Sequence, residues 1–155
     1  MRISYRAHGG ALDYWQRRWD GVAVDSGNIN PRRYPGLYAE RTINAKRPDG
    51  PVLEAGCGAG RVLRHYHERG TAIVGLDFIA SVLAAIKGED PTIPLAAGDI
   101  TKLPFPDGSF SAVLAFGRTM ASKPILRRPW RIPAGSSNPA VCCAPACGWT
   151  ICKTG

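Results

Sequence analysis

Three glycines at alternate positions, Gly56, Gly58 and Gly60 in the stretch VLEAGCGAGR, are the residues of this 155-residue chain whose types and spacing most directly imply chemistry. Glycine lacks a Cβ and enters positive φ without penalty, so a turn built from it lets a ligand approach the backbone. A helix starting near Arg61 would present unpaired N–H groups and a partial positive charge to that ligand. Two acids fall in register with the turn: Asp77 stands 21 residues after Gly56, and Asp99 follows 22 residues later. A carboxylate at the first position can accept from both hydroxyls of a ribose, and one at the second from an adenine amino group. The structural alternatives stay open beside these roles, Asp77 as the N-cap of the next helix and Asp99 as a turn former after Gly98. The dinucleotide fingerprint G-x-G-x-x-G would need a glycine where Arg61 stands, and the spacing here is G-x-G-x-G. His65 and His67 follow on the same predicted helix, where surface or packing roles suffice for them, so no general base and no catalytic residue is nominated.

The elements that must position these residues alternate in the middle of the chain. Val52–Ala55 reads as a short buried strand, 61–69 as a helix with Val62, Leu63 and Tyr66 on one face, and Gly70 as its C-cap. An apolar, β-branched run at 71–77 ends in Asp77. A helix over 80–87 turns Val82, Leu83 and Ile86 inward, a third strand covers 93–97, and a fully apolar fourth strand covers 110–116. Nearly all-apolar strands separated by single helices predict an α/β fold with a doubly wound, Rossmann-like parallel sheet buried on both faces. Ligands of such sheets bind beyond the carboxyl ends of the strands, where the glycine turn, Asp77, Asp99 and Phe116-Gly117 would gather. Before the sheet, residues 11–20 predict a short helix with Trp15 and Trp19 on one face, docking on the core or, in the alternative, covering a substrate. Residues 37–46 predict a second helix. The chain thus divides into an N-terminal helical segment (1–50), an α/β core (51–117) and a tail (118–155).

Charge follows the same division. Residues 1–117 carry 14 Lys and Arg against 12 Asp and Glu, whereas 118–155 carry six basic residues and no acid. The net charge of +8 therefore resides mostly in the tail and does not by itself make the chain a nucleic-acid binder. The sequence contains no apolar run of membrane-spanning length and no apolar block of a secretory signal at its start, which gives a cytoplasmic expectation. Cys57 reads as a reduced, buried residue; Cys142, Cys143, Cys147 and Cys152 crowd the tail without paired C-x-x-C spacing.

Taken together, LEAGCGAGR, GLDFI and GDITKLPFPDGSFSAVLAF resemble motifs I, post-I and II of class I S-adenosylmethionine-dependent methyltransferases, in the small-molecule branch typified by ubiquinone and menaquinone biosynthesis enzymes. The resemblance covers residues 35–117. It implies S-adenosyl-L-methionine as cofactor and methyl transfer to a small-molecule acceptor by in-line displacement. It further implies that Gly56, Gly58 and Gly60 line the methionine and ribose part, and that Glu54 holds the turn or reaches the cofactor's amino group through water. Asp77 would take the ribose hydroxyls, Phe78 and Ile79 would flank the adenine, Asp99 would accept from the adenine amino group beside Ile100, and Phe116 and Gly117 would begin the acceptor-facing loop. The competing functions are a non-catalytic remnant that still binds cofactor and an NAD-dependent oxidoreductase.

After Gly117 the resemblance predicts a helix, a Pro-Gly-Gly turn and further strands, which the tail does not spell: it has five prolines in 38 residues and no clear periodicity. The expectation is out-of-family sequence, such as the product of a frame shift or truncation, over a zinc knuckle or a basic nucleic-acid arm. The strand at 110–116 would then be an exposed apolar edge prone to pairing with other chains.

Overall fold

Four consecutive buried residues, Val52–Ala55 (β1), form the centre of the sheet, and everything else is placed by which side of β1 it joins. The computed structural model describes residues 11–23, 29–45, 49–100, 102–116 and 140–143. On one side β1 pairs in parallel with Ile73–Asp77 (β2), which pairs in parallel with Leu95–Ala97 (β3). On the other it pairs in parallel with Ala112–Ala115 (β4), which pairs in parallel with Ala140–Cys143 (β5). The order is β3-β2-β1-β4-β5, so the α/β fold with a parallel sheet is as the sequence predicted. The chain leaves β1 outward to β2 and β3 and then returns to β1's other flank. The crevice between the carboxyl ends of β1 and β4 is therefore the switch point where open α/β sheets bind ligands.

Strand alternation divides the interior into two layers. Val52, Ile73, Ala112 and Leu114 face a cluster with Val62, Leu63 and Tyr66 of helix α3 (Arg61–His67) and Val82, Leu83 and Ile86 of helix α4 (Ala80–Glu89). Leu53, Ala55, Leu76 and Val113 face the opposite layer with Phe110, against which Ile100, Leu103 and Phe105 pack. Both helices lie on one face because β1 to β2 and β2 to β3 step in the same direction through right-handed crossovers. The return from β3 to β4 steps the other way and covers the second face, with a loop in place of a helix; the Phe105 and Phe110 rings meet edge to face at 4.8 Å there. In β2, a Cβ added to Gly75 would stand 2.5 Å from Leu63 Cδ2 and 2.8 Å from Leu95 Cδ2. Glycine at 75 is thus what lets α3 and β3 close on β2.

Ahead of the sheet, helix α1 (Ala11–Trp19) packs Trp15 and Trp19 against the larger cluster while its other described side chains are exposed. The predicted second helix is split into a short α-helix, α2 (Gly36–Glu40), and a π-helical turn over Arg41–Ala45. Glu40 is fastened at both ends of its carboxylate, by the Asn44 amide at 2.7 Å and by the Tyr66 hydroxyl at 3.0 Å, which ties this segment to α3.

Two expectations are corrected. The fourth strand is not the sheet edge, because β5 covers it over four paired positions, Ala112 with Ala140 through Ala115 with Cys143. Among the described residues the sheet accordingly has five strands rather than four, and part of the tail enters it; the Pro-rich composition hid a four-residue apolar stretch, AVCC, that suffices for a parallel partner. Gly117 and the tail cysteines Cys147 and Cys152 lie outside the described residues. The strand at 110–116 is also shorter than predicted: Phe110 and Ser111 precede the ladder, with Ser111 Oγ donating to the Gly50 carbonyl at 2.7 Å.

Candidate functional site

The carboxyl end of β1 turns through Gly56, Gly58 and Gly60 at φ +77°, +50° and +79°, backbone conformations in which a side chain would be strained. Gly60 is the N-cap of α3. The turn is fixed against β2, whose Leu76 carbonyl accepts from the N–H groups of Gly56 at 2.7 Å and Cys57 at 3.0 Å. A Cβ at Gly56 would have nothing of the described residues within 4 Å, so among them open space lies over the turn at that point. At Gly58 the space is taken: an added Cβ would stand 2.5 Å from Cζ2 and 2.7 Å from Cη2 of Trp19.

Asp77, at the end of β2, is buried and uses both oxygens. Oδ2 accepts from the Gly58 N–H at 2.9 Å and Oδ1 from the Ile79 N–H at 3.0 Å. The carboxylate is thereby clamped between the glycine turn and the start of α4. It does not cap α4 in the usual sense, since the N-cap is Ile79 and carries no side-chain cap bond. Each carboxylate oxygen has more than one lone pair, so both retain capacity to accept from a ligand.

Glu54 lies inside β1 with 4% of its surface exposed. Burial pushes its carboxyl up to about 8, against lowering by the Leu63 N–H and by Arg61. The Leu63 N–H is one of the first-turn donors of α3, so Glu54 satisfies a helix start from within the sheet. Its Oε2 is buried and has no hydrogen-bond partner among the described residues. A buried polar atom left over next to a glycine turn is costly for folding alone and marks a place where a ligand group or water completes the bonding. Cys57, in the same turn, is buried as expected, and burial followed by the Glu54 and Asp77 charges raises its thiol.

Phe78 follows Asp77 with its ring 37% exposed, whereas Ile79 is 2% exposed and belongs to the core. Ile100 packs on the second layer. Asp99 is exposed two residues after β3, and its carbonyl accepts from the Lys102 N–H at 2.9 Å, which is the turn-forming role. Phe116 follows β4 across the switch point. Its carbonyl accepts from the Tyr34 hydroxyl, and the two rings meet edge to face at 5.9 Å.

Most of the sequence-predicted residues fall along the carboxyl edge of the sheet in two groups. Gly58, Asp77 and Ile79 form a hydrogen-bonded unit, Glu54, Gly56 and Gly60 lie on the strand and turn that lead into it, and Phe116 joins a separate aromatic group with Tyr34 and Tyr38, whereas Phe78, Asp99 and Ile100 belong to neither group. Tyr34 was missed because it sits 82 residues from Phe116, in a loop whose Pro and Gly content carries no site signal. His67 contacts Thr92 at 3.0 Å and Asp90 at 3.9 Å, and His65 stacks edge to face on Tyr66, which accounts for both histidines without chemistry.

A family model described as "Methyltransferase domain" matches residues 52–129, from β1 to a point beyond Gly117 where the sequence resemblance was expected to stop. The chain is 37% identical over 84 residues to demethylmenaquinone methyltransferase of Beutenbergia cavernae, covering 52% of this chain and 35% of the relative. It is 32% identical over 85 residues to a probable S-adenosylmethionine-dependent methyltransferase of Mycolicibacterium smegmatis, covering 55% and 32%. The chain thus spans about a third of the length of these curated relatives. Among solved structures, one concerned with the conversion of a disulfide bond into a thioacetal group during echinomycin biosynthesis superposes with a TM-score of 0.57 at 21% identity. It covers 70% of this chain and 48% of the other, which is a likeness of fold.

Proposed function

The chain belongs to the methyltransferase domain family, and from that premise we propose that it binds S-adenosyl-L-methionine along the edge formed by β1 and β2 and transfers its methyl group to a small-molecule acceptor. The observation that carries the reading is the Asp77 clamp. One buried carboxylate fixes Gly58 and Ile79 together, so the glycine turn and the start of α4 form one preorganised cradle.

The residues present fit the cofactor. Gly56 leaves open space over the turn, Glu54 offers a buried oxygen without a partner, and Asp77 retains acceptor capacity. In this reading Gly56, Gly58 and Gly60 give backbone access, Glu54 holds the turn or reaches the cofactor's amino group through water, and Asp77 accepts from the ribose hydroxyls. The exposed Phe78 ring offers a flat apolar wall for the adenine with the Ile79 backbone beside it, and Asp99 with Ile100 bounds the far end. When bound, the cofactor supplies a methyl group on a sulfonium, already an activated leaving group. The protein's task is then to set the approach line and exclude water, for which oriented backbone and apolar walls serve better than an acid or base. Phe116 and Tyr34 stand on the acceptor side of the switch point. No helix among the described residues is long and apolar enough to cross a membrane, and a cytoplasmic enzyme acting on a small molecule is part of the same proposal. The relatives and the family are methyltransferases, which leaves the oxidoreductase alternative without support.

Calorimetric titration of S-adenosylmethionine and of NAD against the wild type and Asp77→Ala tests this. The wild type is expected to bind S-adenosylmethionine. The variant is expected to lose at least tenfold in affinity and about 2–4 kcal/mol of stability, because two buried N–H groups lose their acceptor. NAD binding alone would sink the proposal. Binding of S-adenosylmethionine without turnover on any acceptor would reduce it to a non-catalytic cofactor binder.

A further inference from the structure

Helix α1 meets the glycine turn through Trp19. The Gly58 contact involves the benzo edge of the Trp19 indole, with Cζ2 and Cη2 closest and Cε2 at 3.3 Å from an added Cβ. Gly58 is also the residue whose N–H is held by Asp77, so Trp19, Gly58 and Asp77 form a continuous stack from the N-terminal segment into the cradle. Arg18 lies on the same indole, its guanidinium carbon 5.6 Å from the ring centroid. Gly56, two residues before Gly58, has open space over it, and two residues of chain span at most about 7 Å. A ligand that lies against Gly56 is therefore adjacent to the indole edge at Gly58. The family match begins at residue 52, after α1, and the glycine motif does not contain this residue.

We propose that Trp19 is a cofactor-contacting residue: its indole, seated on Gly58, forms the outer wall of the cofactor site, so that the adenosyl or methionine portion lying along Gly56 packs against it. The inference rests on the methyltransferase reading above. It gives α1 a role in binding in addition to the core docking that Trp15 and Trp19 share. A nine-residue helix is marginal by itself, and its position is set by its two tryptophans; the one over the turn touches the ligand and the other does not.

The test uses the full chain with S-adenosylmethionine and its demethylated product as probes. Calorimetry on the wild type, Trp19→Ala, Trp19→Phe and Trp15→Ala is expected to show a loss of affinity of tenfold or more for Trp19→Ala. Substantial rescue is expected in Trp19→Phe, and a change within threefold in Trp15→Ala. In a background carrying Trp15→Phe, Trp130→Phe and Trp149→Phe, the remaining Trp19 fluorescence is expected to change on titration with either probe. Equal losses in Trp15→Ala and Trp19→Ala would assign the effect to docking of α1 and overturn the contact, as would unchanged affinity in Trp19→Ala. A silent Trp19 signal under saturating ligand would overturn it independently of any folding defect. Failure of the wild type to bind either probe would remove the methyltransferase reading and this inference together, whereas binding that ignores Trp19 would remove the inference alone.

Discussion

The two flanks of β1 are built differently. Toward β2, the flank proposed to hold the cofactor is a continuous piece of sequence, 52–79, whose parts bond to each other: Leu76 to Gly56 and Cys57, Asp77 to Gly58 and Ile79. Toward β4, the flank proposed to face the acceptor is assembled from distant pieces. Phe116 is held by Tyr34 across 82 residues, and β4 is paired by β5, which enters from the tail. The first flank is a hydrogen-bonded cradle with acids in it; the second is aromatic. If this flank holds the methyl donor as proposed, a local, motif-sized construction supplies its contacts from one stretch of chain. An acceptor requires its own walls, and those come from wherever the chain can supply them.

This contrast is broken most severely by filling the cofactor flank. Gly75→Val is expected to destabilise the protein by about 3 kcal/mol or more, because the new side chain collides with Leu63 and Leu95 and overpacks the seam between β2 and α3. Chemical denaturation reads that loss, and a drop below about 1 kcal/mol would show that the seam relaxes.

A smaller effect isolates Glu54. Its carboxyl keeps a proton in the folded chain up to about pH 8 and releases it near the ordinary 4.5 when unfolded. Raising the pH between those values therefore favours the unfolded chain, by up to about 1.4 kcal/mol per pH unit, and the loss levels off above the folded value. Glu54→Gln removes this component. The variant is expected to match the wild type at pH 4.5 and to exceed it by a few kcal/mol at pH 8–9, while binding S-adenosylmethionine more weakly. Urea melts at pH 4.5, 6.5 and 8.5 check the stability, and parallel slopes for the two proteins would exclude the buried carboxyl as their cause.

The smallest expected effect lies on the acceptor flank. Tyr34→Phe removes one hydrogen bond from a half-exposed hydroxyl to the Phe116 carbonyl, for about 1 kcal/mol or less. The cofactor Kd is expected to stay within about twofold while the KM for the acceptor rises. A cofactor affinity that falls as far as it does in Asp77→Ala would erase the distinction between the flanks.

The legibility of the chain follows the same line. Alternating strands and helices and the acid that ends β2 were readable because each depends on neighbours within a few tens of residues, through periodicity and turn chemistry. The seat of Trp19 on Gly58 was half readable: its spacing from Trp15 placed both on one face, and only packing showed that one of them ends on the glycine turn. Tyr34 and β5 were not readable, since a loop tyrosine and a four-residue apolar stretch in Pro-rich sequence look the same whether or not a strand lies beside them.

By itself, the sequence determined a parallel α/β sheet, the G-x-G-x-G turn after its central strand and the carboxylate that answers it at Asp77. These are set by backbone conformations and hydrophobic periods that each segment carries internally. Only the tertiary structure decided that Asp77 is spent on clamping two backbone N–H groups, that Glu54 is buried deeply enough to hold a proton, and that β4 is covered by β5. Hydrogen-bond satisfaction and desolvation depend on what stands across from a group, and for these residues the partner comes from another segment of the chain.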